Sequence, residues 1–354
     1  MELKKLRNQV DTLDSKILQL LNQRAKLVKQ IGKIKSLHKK QYYAPERERE
    51  ILSQIIKNNQ GPLSSEAVKE IFSEILHTCR SLEKKLKIAY LGPEATFTHQ
   101  AAIKNFGKSA EYISAKSISD VFAEVEKERA DYGVVPIENS TEGVENHTLD
   151  MFIESDLKIC AETLLEISHY LLSREENLQK IKCIYSHPQA LAQCRNWLED
   201  HLPNAELIET ASTAGAAQKV KKESTAAAIA SDLAAELYGL KIVASRIEDR
   251  SDNFTRFLVI SKNFPAPSGM DKTSILFSIK DRIGALHDML VPFKKNNINL
   301  TKIESRPTKK KAWEYIFFVD FAGHIVESKV KKALNELEEQ CLYLKILGSY
   351  PRAE

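Results

Sequence analysis

Three cations and two carboxylates stand on helical stretches near the start of the chain. Arg24 and Lys35 are eleven residues apart, within a stretch whose apolar residues recur at three- and four-residue steps. At about 3.6 residues per turn, this spacing is close to three whole turns, so both cations lie on one helix face. Arg47 and Glu48 begin a second helical stretch, and Glu83 closes a third. Because arginine binds carboxylate as a fork, such a set suits a small ligand with two carboxylates.

Two other interpretations of the basic first helix stay open on the pattern alone. Residues 1–40 hold eleven Lys or Arg against three Asp or Glu, although the whole chain carries a net charge of only +4. A solvated coiled-coil surface or a nucleic-acid-binding arm would have a similar surplus. A nucleic-acid arm needs an accessible one-sided stripe, whereas Arg7, Arg24 and Lys35 lie beside the apolar seam. Arg7 is off the shared face and would more readily serve a site built with a partner helix.

Hydroxyl and amide residues mark a second possible site in the middle of the chain. Four strand-to-helix junctions end in such residues: GPEATFTHQAA, PIENSTEG, SHPQALAQ and TASTAGAA. In parallel α/β sheets these junctions gather at the carboxyl edge of the strands, where helix N-termini favour an anion. Thr255 and Arg256 stand later on a strand, between Phe254 and Phe257, where a packed core has little use for them. Ordinary helix capping and a strand-edge threonine remain the alternatives.

Several chemistries are excluded by what the sequence lacks. There is no G-x-S-x-G, and neither His99 nor His187 has a carboxylate at a triad-like spacing, which argues against a Ser-His-Asp hydrolase. YLGPEATF has one glycine rather than a dinucleotide or ATP fingerprint. The five cysteines are scattered and form no C-x-x-C pair, which argues against a zinc site and a disulfide framework. We therefore expect no metal, no cofactor and a cytoplasmic protein, without a signal peptide or a membrane helix.

The fold class predicted is multidomain, with three segments. Residues 1–85 read as helices, and the apolar stripe of the first is too long to bury alone, so a partner chain is expected. Residues 86–265 alternate strand and helix, which predicts an α/β domain of two lobes. After the linker NFPAPSG, residues 271–354 follow the βαββαβ order of a ferredoxin-like domain. In that segment GALH opens a helix and ESRP closes a strand; Gly284 would allow close approach of a ligand or a subunit, or only a tight turn.

All three segments, in this order, resemble the bifunctional chorismate mutase–prephenate dehydratase family, whose C-terminal domain is an ACT regulatory domain. The resemblance covers essentially the whole chain and rests on GVVPIENSTEG, SHPQAL, NFTRF, GALH and ESRP. It implies that chorismate is rearranged to prephenate, and that prephenate is then decarboxylated and dehydrated to phenylpyruvate. It also implies feedback inhibition by L-phenylalanine and a homodimer or higher homo-oligomer, with no nucleic-acid or membrane partner.

The resemblance assigns residues to three sites. The implied catalytic residues are Arg24, Lys35 and Glu83 for the mutase and Thr255 for the dehydratase, where Thr255 would donate to the leaving hydroxyl. The implied substrate-binding residues are Arg7 (across a dimer), Arg47, Glu48, Asn139, Ser140, Thr141, Gln189, Ser212, Thr213 and Arg256. Arg256 would hold a substrate carboxylate or orient the site. The implied phenylalanine-binding residues are Gly284, Ala285, Leu286, His287, Glu304, Ser305, Arg306 and Pro307.

Two positions depart from the family pattern. Ala44 stands in YAPERE where the family commonly has Asp, so one polar contact to the mutase substrate is missing or supplied elsewhere. Glu83 stands where one branch of the family has Gln, and a carboxyl group can donate to the substrate's ether oxygen only while protonated. Two rival functions therefore stay open: a dehydratase whose helical domain serves only for dimerisation, and a non-catalytic amino-acid sensor.

Overall fold

The computed structural model describes residues 1–38, 41–279, 282–307 and 315–353. The chain divides into two compact units: Met1–Leu86 with Phe106–Glu111, and Lys87–Asn105 with Tyr112–Glu354. None of the described helices combines the length and the apolar character that a bilayer span requires.

The first unit is built from three helices whose starts follow local sequence chemistry. They are α1 (Glu2–Leu37), α2 (Pro45–Asn58) and α3 (Ser65–Glu83). Pro45 occupies the first position of α2, where its missing N–H costs nothing. Ser64 caps α3, because its hydroxyl oxygen accepts a hydrogen bond from the backbone N–H of Ala67 at 3.2 Å. These helices match the three predicted from the sequence.

Helix α1 packs against α3 only near its C-terminal end. Gly32 is its one buried residue, and a Cβ at this position would lie 3.0 Å from the Cα of Glu83. Glycine therefore permits the close crossing of the two helices. Further towards the N-terminus the apolar stripe is exposed: Leu6, Val10 and Leu13 each leave more than half of their surface accessible in this single chain.

His77 on α3 makes the stability of this unit sensitive to acid. Burial lowers the pKa of His77 to about 4, and the charge of Arg80 acts in the same direction. The folded unit therefore keeps His77 neutral at pH values where the unfolded chain, with a histidine pKa near 6.5, takes up a proton. Stability should fall as pH decreases from about 6.5 towards 4, by up to about 2 kcal/mol at pH 5 from this residue.

The check is urea unfolding of wild type and His77→Gln at pH 7 and at pH 5. Unfolding of the first unit would be monitored by circular dichroism of its helices and by the loss of mutase activity. The wild type should lose more stability on acidification than the variant. Equal losses in the two proteins would contradict a role for His77.

The α/β part of the second unit contains two sheets. The first has strands β1 (Lys87–Leu91), β2 (Glu111–Ala115), β3 (Tyr132–Asn139), β4 (Gly143–Val144), β5 (Lys158–Glu166) and β11 (Phe254–Ser261), in the order β2-β1-β3-β11-β5 with β4 against β3. The second has β6 (Tyr170–Ser173), β7 (Cys183–Ser186), β8 (Glu206–Glu209), β9 (Ala226–Ala230) and β10 (Lys241–Ala244), in the order β10-β6-β9-β7-β8. The helices are α4 (Phe97–Phe106), α5 (Ile118–Glu126), α6 (Asn146–Glu154), α7 (Pro188–Gln193), α8 (Arg195–His201), α9 (Thr213–Val220) and α10 (Asp232–Tyr238).

Both sheets are mixed rather than parallel throughout. Strand β1 runs parallel to β3, but β11 is antiparallel to both β3 and β5. In the second sheet β7 is parallel to β8 and β9, whereas β6 is antiparallel to its two neighbours. The returning strand β11 sits at the centre of the first sheet, and this places NFTRF next to PIENS.

The C-terminal part of the second unit has the predicted βαββαβ order. Its elements are β12 (Asp271–Ser278), α11 (Ala285–Lys295), β13 (Leu300–Pro307), β14 (Tyr315–Ala322), α12 (Ser328–Glu338) and β15 (Tyr343–Pro351). The sheet order is β13-β14-β12-β15, and both helices pack on one face through a core that includes Phe277, Met289, Phe321 and Leu334. The ends of two predicted strands, at residues 280–281 and 312–314, lie outside the described residues.

Candidate active sites

A pocket of about 430 Å³ opens among the three helices of the first unit. The pocket is lined by all five charged residues that were predicted to converge within one chain: Arg24, Lys35, Arg47, Glu48 and Glu83. Ala44, the departure from the family pattern, lines it as well. The predicted convergence of cations is thus present within one chain.

Lys35 and Glu83 face each other across this pocket. The Lys35 ammonium lies 2.8 Å from a carboxylate oxygen of Glu83 and donates a hydrogen bond to the backbone carbonyl of Tyr42 at 3.1 Å. A salt bridge joins a cation to an ionised carboxylate. This contact places the cation and the carboxylate side by side in the pocket wall.

Arg80 is a pocket residue that the sequence interpretation missed. Its guanidinium is buried, lies 2.5 Å from a carboxylate oxygen of Glu48, and stacks over the rings of Tyr43 and Phe106. Burial raises the pKa of Glu48 and Arg80 opposes that rise. The signal was available, because Arg80 precedes Glu83 by three residues and so shares its helix face.

Arg24 is positioned to receive an anion. Its Nη1 atom is buried and has no hydrogen-bond partner among the described residues. A buried N–H donor without a partner is costly unless a ligand satisfies it, so this atom of Arg24 favours a hydrogen-bond acceptor, such as a carboxylate, in the pocket. Arg47 is mostly exposed and pairs with Glu50 at 2.5 Å, which leaves it at the rim.

Arg7 does not line the pocket. It lies on the exposed N-terminal part of α1, seventeen residues before Arg24, which is about 25 Å along the helix at 1.5 Å per residue. The contribution of Arg7 from a partner chain, as the resemblance implies, remains a prediction.

A second, larger cavity of about 640 Å³ lies between the two sheets of the α/β part. All four predicted junctions contribute to its wall, through Gly92 and Thr96, through Asn139 and Gly143, through His187 and Gln189, and through Ser212 and Thr213. Pro188 takes the first position of α7, and the His187 side chain caps that helix. Thr255 also lines the cavity, which we call the cleft.

Asn139 fixes the direction of the hydrogen bond that reaches Thr255. Its side-chain oxygen accepts from the backbone N–H groups of Thr141 and Glu142, both at 3.0 Å, and these groups can only donate. The amide nitrogen of Asn139 must then point the other way, and it donates to the hydroxyl oxygen of Thr255 at 2.8 Å. Since Thr255 accepts here, its own proton is available to a ligand in the cleft.

A chain of hydrogen bonds leads from Asn139 to His169, a histidine that the sequence interpretation did not select. Asn139 also donates to Asn253 at 2.7 Å, and Asn253 in turn donates to the side-chain oxygen of Gln193 at 3.2 Å. Because that oxygen accepts, the Nε2 atom of His169, 2.8 Å away, must carry a proton. Burial lowers the pKa of His169, despite the opposing bond to Gln193, so the ring is neutral in the cleft wall.

The remaining predicted dehydratase residues take different positions. Gln189, Ser212 and Thr213 line the cleft, with Ser212 also capping α9. Thr141 lines an adjoining pocket together with Gln193 and Asn253. Ser140 bonds to the backbone on both sides of Asn253: its hydroxyl donates to the carbonyl of Asp252 and accepts from the N–H of Phe254.

Arg256 is not in the cleft. Successive side chains of a strand point to opposite faces, so Arg256 points away when Thr255 faces the cleft. Its buried guanidinium instead lies 2.7 Å from Glu162 in β5 and 2.7 Å from Asp320 in β14. The expectation that Arg256 holds a substrate carboxylate is corrected by these contacts; its partners are protein carboxylates.

The residues predicted to bind phenylalanine lie on two elements of the C-terminal part. Gly284 precedes α11 with a φ of +78°, while Ala285 is buried and Leu286 and His287 are exposed. Glu304, Ser305, Arg306 and Pro307 end β13, where burial alternates along the strand. Arg306 reaches Asp150 of α6 at 3.2 Å. No described neighbour lies within 4 Å of a Cβ built on Gly284, so its positive φ, rather than crowding, requires glycine.

Family models identify the class of protein that these sites define. The chorismate mutase type II model matches residues 6–84, the prephenate dehydratase model residues 88–265 and the ACT domain model residues 273–339. The chain is thus an enzyme with a chorismate mutase domain and a prephenate dehydratase domain, followed by an ACT domain.

Relatives narrow this class further. The chain is 55% identical over 356 residues to the bifunctional chorismate mutase/prephenate dehydratase of Aquifex aeolicus, covering 99% of this chain and 98% of that protein. It is 47% identical to the enzyme of that name from Pseudomonas aeruginosa, over 99% and 98% of the two chains. The chain belongs to the bifunctional chorismate mutase/prephenate dehydratase family.

A solved structure shares the second unit's fold. It is the prephenate dehydratase of Arthrobacter aurescens in complex with L-Phe, which matches with a TM-score of 0.70 and 36% identity over 75% of this chain and 90% of that one.

Proposed function

We propose that the two catalytic domains act in succession in phenylalanine biosynthesis, on chorismate and then on prephenate, and that L-phenylalanine inhibits the second step through the ACT domain. The observation that carries the two-step assignment is the presence, in one chain, of two separate polar pockets with different chemistry. The helical pocket holds four cations, whereas the cleft wall presents hydroxyl, amide and histidine groups together with three glutamates and has no Lys or Arg among its lining residues.

In the mutase step the pocket would position chorismate for a rearrangement that needs no nucleophile from the protein. Arg24 and Arg47, with Arg7 from a partner chain, would hold the two carboxylates of chorismate so that the reacting carbons meet, an effect that can supply several kcal/mol. Lys35 would stabilise the charge that develops on the ether oxygen as the C–O bond breaks. Glu83, when protonated, would donate to the same oxygen.

In the dehydratase step the ring carboxylate leaves as CO₂, and its bonding electrons complete the aromatic ring while the ring hydroxyl departs. The hydroxide must gain a proton to leave as water, and it is a poor leaving group without a donor. Thr255 has its proton free for this purpose because Asn139 occupies its acceptor side. A neutral threonine is a weak acid, so its role is that of a placed hydrogen-bond donor.

A homodimer built on α1 is part of this proposal. The exposed stripe of α1 is continuous over its N-terminal half, and exposed apolar surface of this extent marks an association site. A second copy packed there would cover the stripe and could bring its Arg7 to the pocket of the first.

Assays for chorismate loss and phenylpyruvate formation on the purified protein test the function. Activity in both supports the proposal. Phenylpyruvate formation without chorismate loss would indicate that the helical domain serves only for dimerisation, the alternative that Ala44 suggests. Absence of both would favour an amino-acid sensor.

Gly284 tests the proposed phenylalanine site. Gly284→Val should abolish inhibition by phenylalanine while dehydratase activity without phenylalanine is retained, because a β-branched residue does not adopt a φ of +78° without strain. A coupling of about 1–3 kcal/mol, or roughly 5–150-fold, is ordinary between an effector site and an active site.

Gly284→Asn is the matched control, since asparagine tolerates this conformation and should keep the response. Calorimetric titration and assay should be run in parallel on all three proteins. Equal inhibition of wild type and Gly284→Val would overturn the site, and no binding to wild type would overturn the regulation.

A further inference from the structure

Arg80 is held in the wall of the helical pocket by three neighbours from the first unit. Its guanidinium carbon lies 4.8 Å from the ring centroid of Tyr43 and 5.4 Å from that of Phe106, and both rings are buried. Its Nη1 atom donates to one carboxylate oxygen of Glu48 at 2.5 Å. A buried ion pair of this kind is screened little by salt, and the stacked rings add a cation–π attraction.

Glu48 is the member of this pair that a ligand can reach. Its side chain keeps 21% of its surface accessible, against 5% for Arg80, and both residues line the pocket. Arg80 occupies one carboxylate oxygen of Glu48, so the other oxygen can accept a hydrogen bond from a ligand. Burial raises the pKa of Glu48, and the charges of Arg80 and Lys35 oppose this rise. Arg80 thus favours the ionised form of Glu48.

The chemistry of chorismate determines which of its groups Glu48 can meet. A carboxylate only accepts hydrogen bonds. The two carboxylates and the ether oxygen of chorismate carry no proton at neutral pH, whereas its single hydroxyl can donate one. Like charge also keeps the carboxylates of the substrate away from Glu48. An ionised Glu48 therefore suits the hydroxyl of chorismate.

Ala44 makes the orientation of Glu48 more important. The backbone N–H of Glu48 donates to the carbonyl of Ala44 at 3.1 Å, so the two residues stand on successive turns of the same helix start. Alanine offers no side-chain acceptor there. The carboxylates among the described lining residues are Glu48 and Glu83, and Glu83 is paired with Lys35. The contact to a substrate hydroxyl at this end of α2 thus falls to Glu48.

We propose that Arg80 is a positioning residue for the mutase step, which holds the carboxylate of Glu48 in the orientation that accepts a hydrogen bond from the hydroxyl of chorismate. This inference rests on the proposed mutase step and on Glu48 as a substrate-binding residue. Arg80 acts through Glu48 and not on the substrate. Arginine suits this task because its planar guanidinium stacks on aromatic rings while its edge donates to a carboxylate.

The test begins with Arg80→Met in the full-length protein. Methionine is unbranched and packs well against aromatic rings, so the variant removes the charge and keeps most of the packing. kcat/KM for chorismate should fall about 10- to 100-fold, as for a contact group displaced by about 1 Å. The loss should appear largely as a higher KM, because the hydroxyl is present in the ground state and in the transition state alike. A merely destabilised protein would instead show a lower apparent kcat at unchanged KM.

Lys57→Met is the matched control. Lys57 is an exposed cation on α2 that does not line the pocket. This variant loses the same unit of charge, so any general effect of net charge on an anionic substrate would appear in it as well. Its kcat and KM for chorismate should equal those of wild type, and both variants should retain dehydratase activity.

A double variant shows whether Arg80 acts through Glu48. If it does, adding Arg80→Met to Glu48→Gln should change kcat/KM little, because the carboxylate that Arg80 orients is already gone. A multiplicative loss would overturn the proposal, since Arg80 would then act on the substrate independently of Glu48. A wild-type KM in Arg80→Met would overturn it too.

If Arg80→Met does not fold, Arg80→Lys replaces it in the same comparison. Lysine keeps the positive charge but lacks the planar fork, so KM should again rise, and the rise should disappear in the Glu48→Gln background. Wild-type protein that leaves chorismate unchanged would refute the proposed mutase step itself, a result separate from these.

Discussion

Replacement of Thr255 by alanine is expected to lower the kcat of prephenate dehydration by about 10²–10⁴-fold, the range for a lost proton-transfer partner. The reason is the direction of one hydrogen bond. Asn139 must donate to the Thr255 oxygen because its own oxygen is occupied by backbone N–H groups. The threonine proton is thereby left for the departing hydroxyl of the substrate, and alanine removes it.

Two further variants make the Thr255 experiment specific. Thr255→Ser retains a hydroxyl at the same backbone position and should keep much more of the activity. Thr255→Val has the shape of threonine without its hydroxyl and should be as impaired as the alanine variant. The rate of chorismate rearrangement, measured on the same preparations, should not change. Phenylpyruvate formation at a near wild-type rate by Thr255→Ala would show that this threonine is only a strand residue.

Local chemistry explains why the elements of this fold could be predicted from sequence. In the structure Pro45, Ser64 and Pro188 stand at helix starts, which their own backbone or side-chain properties favour. The βαββαβ order of the last segment follows from strand and helix periodicities that need no information about packing. The gathering of four junctions in one cleft was predicted correctly, although the sheets are mixed rather than parallel.

The sheet face to which a given side chain points was harder to predict than the order of the elements. Thr255 and Arg256 are adjacent and both polar, so the sequence indicates an unusual strand without showing which residue faces a ligand. The answer depends on Glu162 and Asp320, which approach from two other strands. Arg80 shares a helix face with Glu83, which the spacing indicates, but its burial against Tyr43 and Phe106 is visible only in the structure.

The chain of hydrogen-bonded amides in the cleft wall, formed by Asn139, Asn253 and Gln193, could not be predicted from the sequence. Asn139 and Asn253 are 114 residues apart, and their contact exists only because β11 returns beside β3. His169, at the far end of this chain of hydrogen bonds, belongs to no recognised motif and lies just before strand β6. Its protonated nitrogen follows from the chain of donors and acceptors, which only the assembled structure provides.

Lys35→Ala is expected to lower the kcat of the mutase reaction by about 10²-fold or more, as for loss of a transition-state donor. Lys35 lies between the carboxylate of Glu83 and the carbonyl of Tyr42, and its side chain is largely buried. This placement puts the ammonium in the wall of the pocket, where it can meet the charge that develops on the ether oxygen. The effect should appear in kcat rather than in KM, because the charge exists only in the transition state.

Lys33→Ala is the control for Lys35→Ala, since Lys33 is exposed two residues away on the same helix and does not line the pocket. It should retain wild-type mutase activity, and both variants should retain dehydratase activity. Glu83→Gln adds an independent comparison. An amide always carries an N–H that can donate to the ether oxygen, whereas a carboxyl group donates only while protonated, so Glu83→Gln should retain mutase activity. Equal kcat in Lys35→Ala and Lys33→Ala would remove Lys35 from the mechanism, and loss of mutase activity in Glu83→Gln would contradict a donor role at position 83.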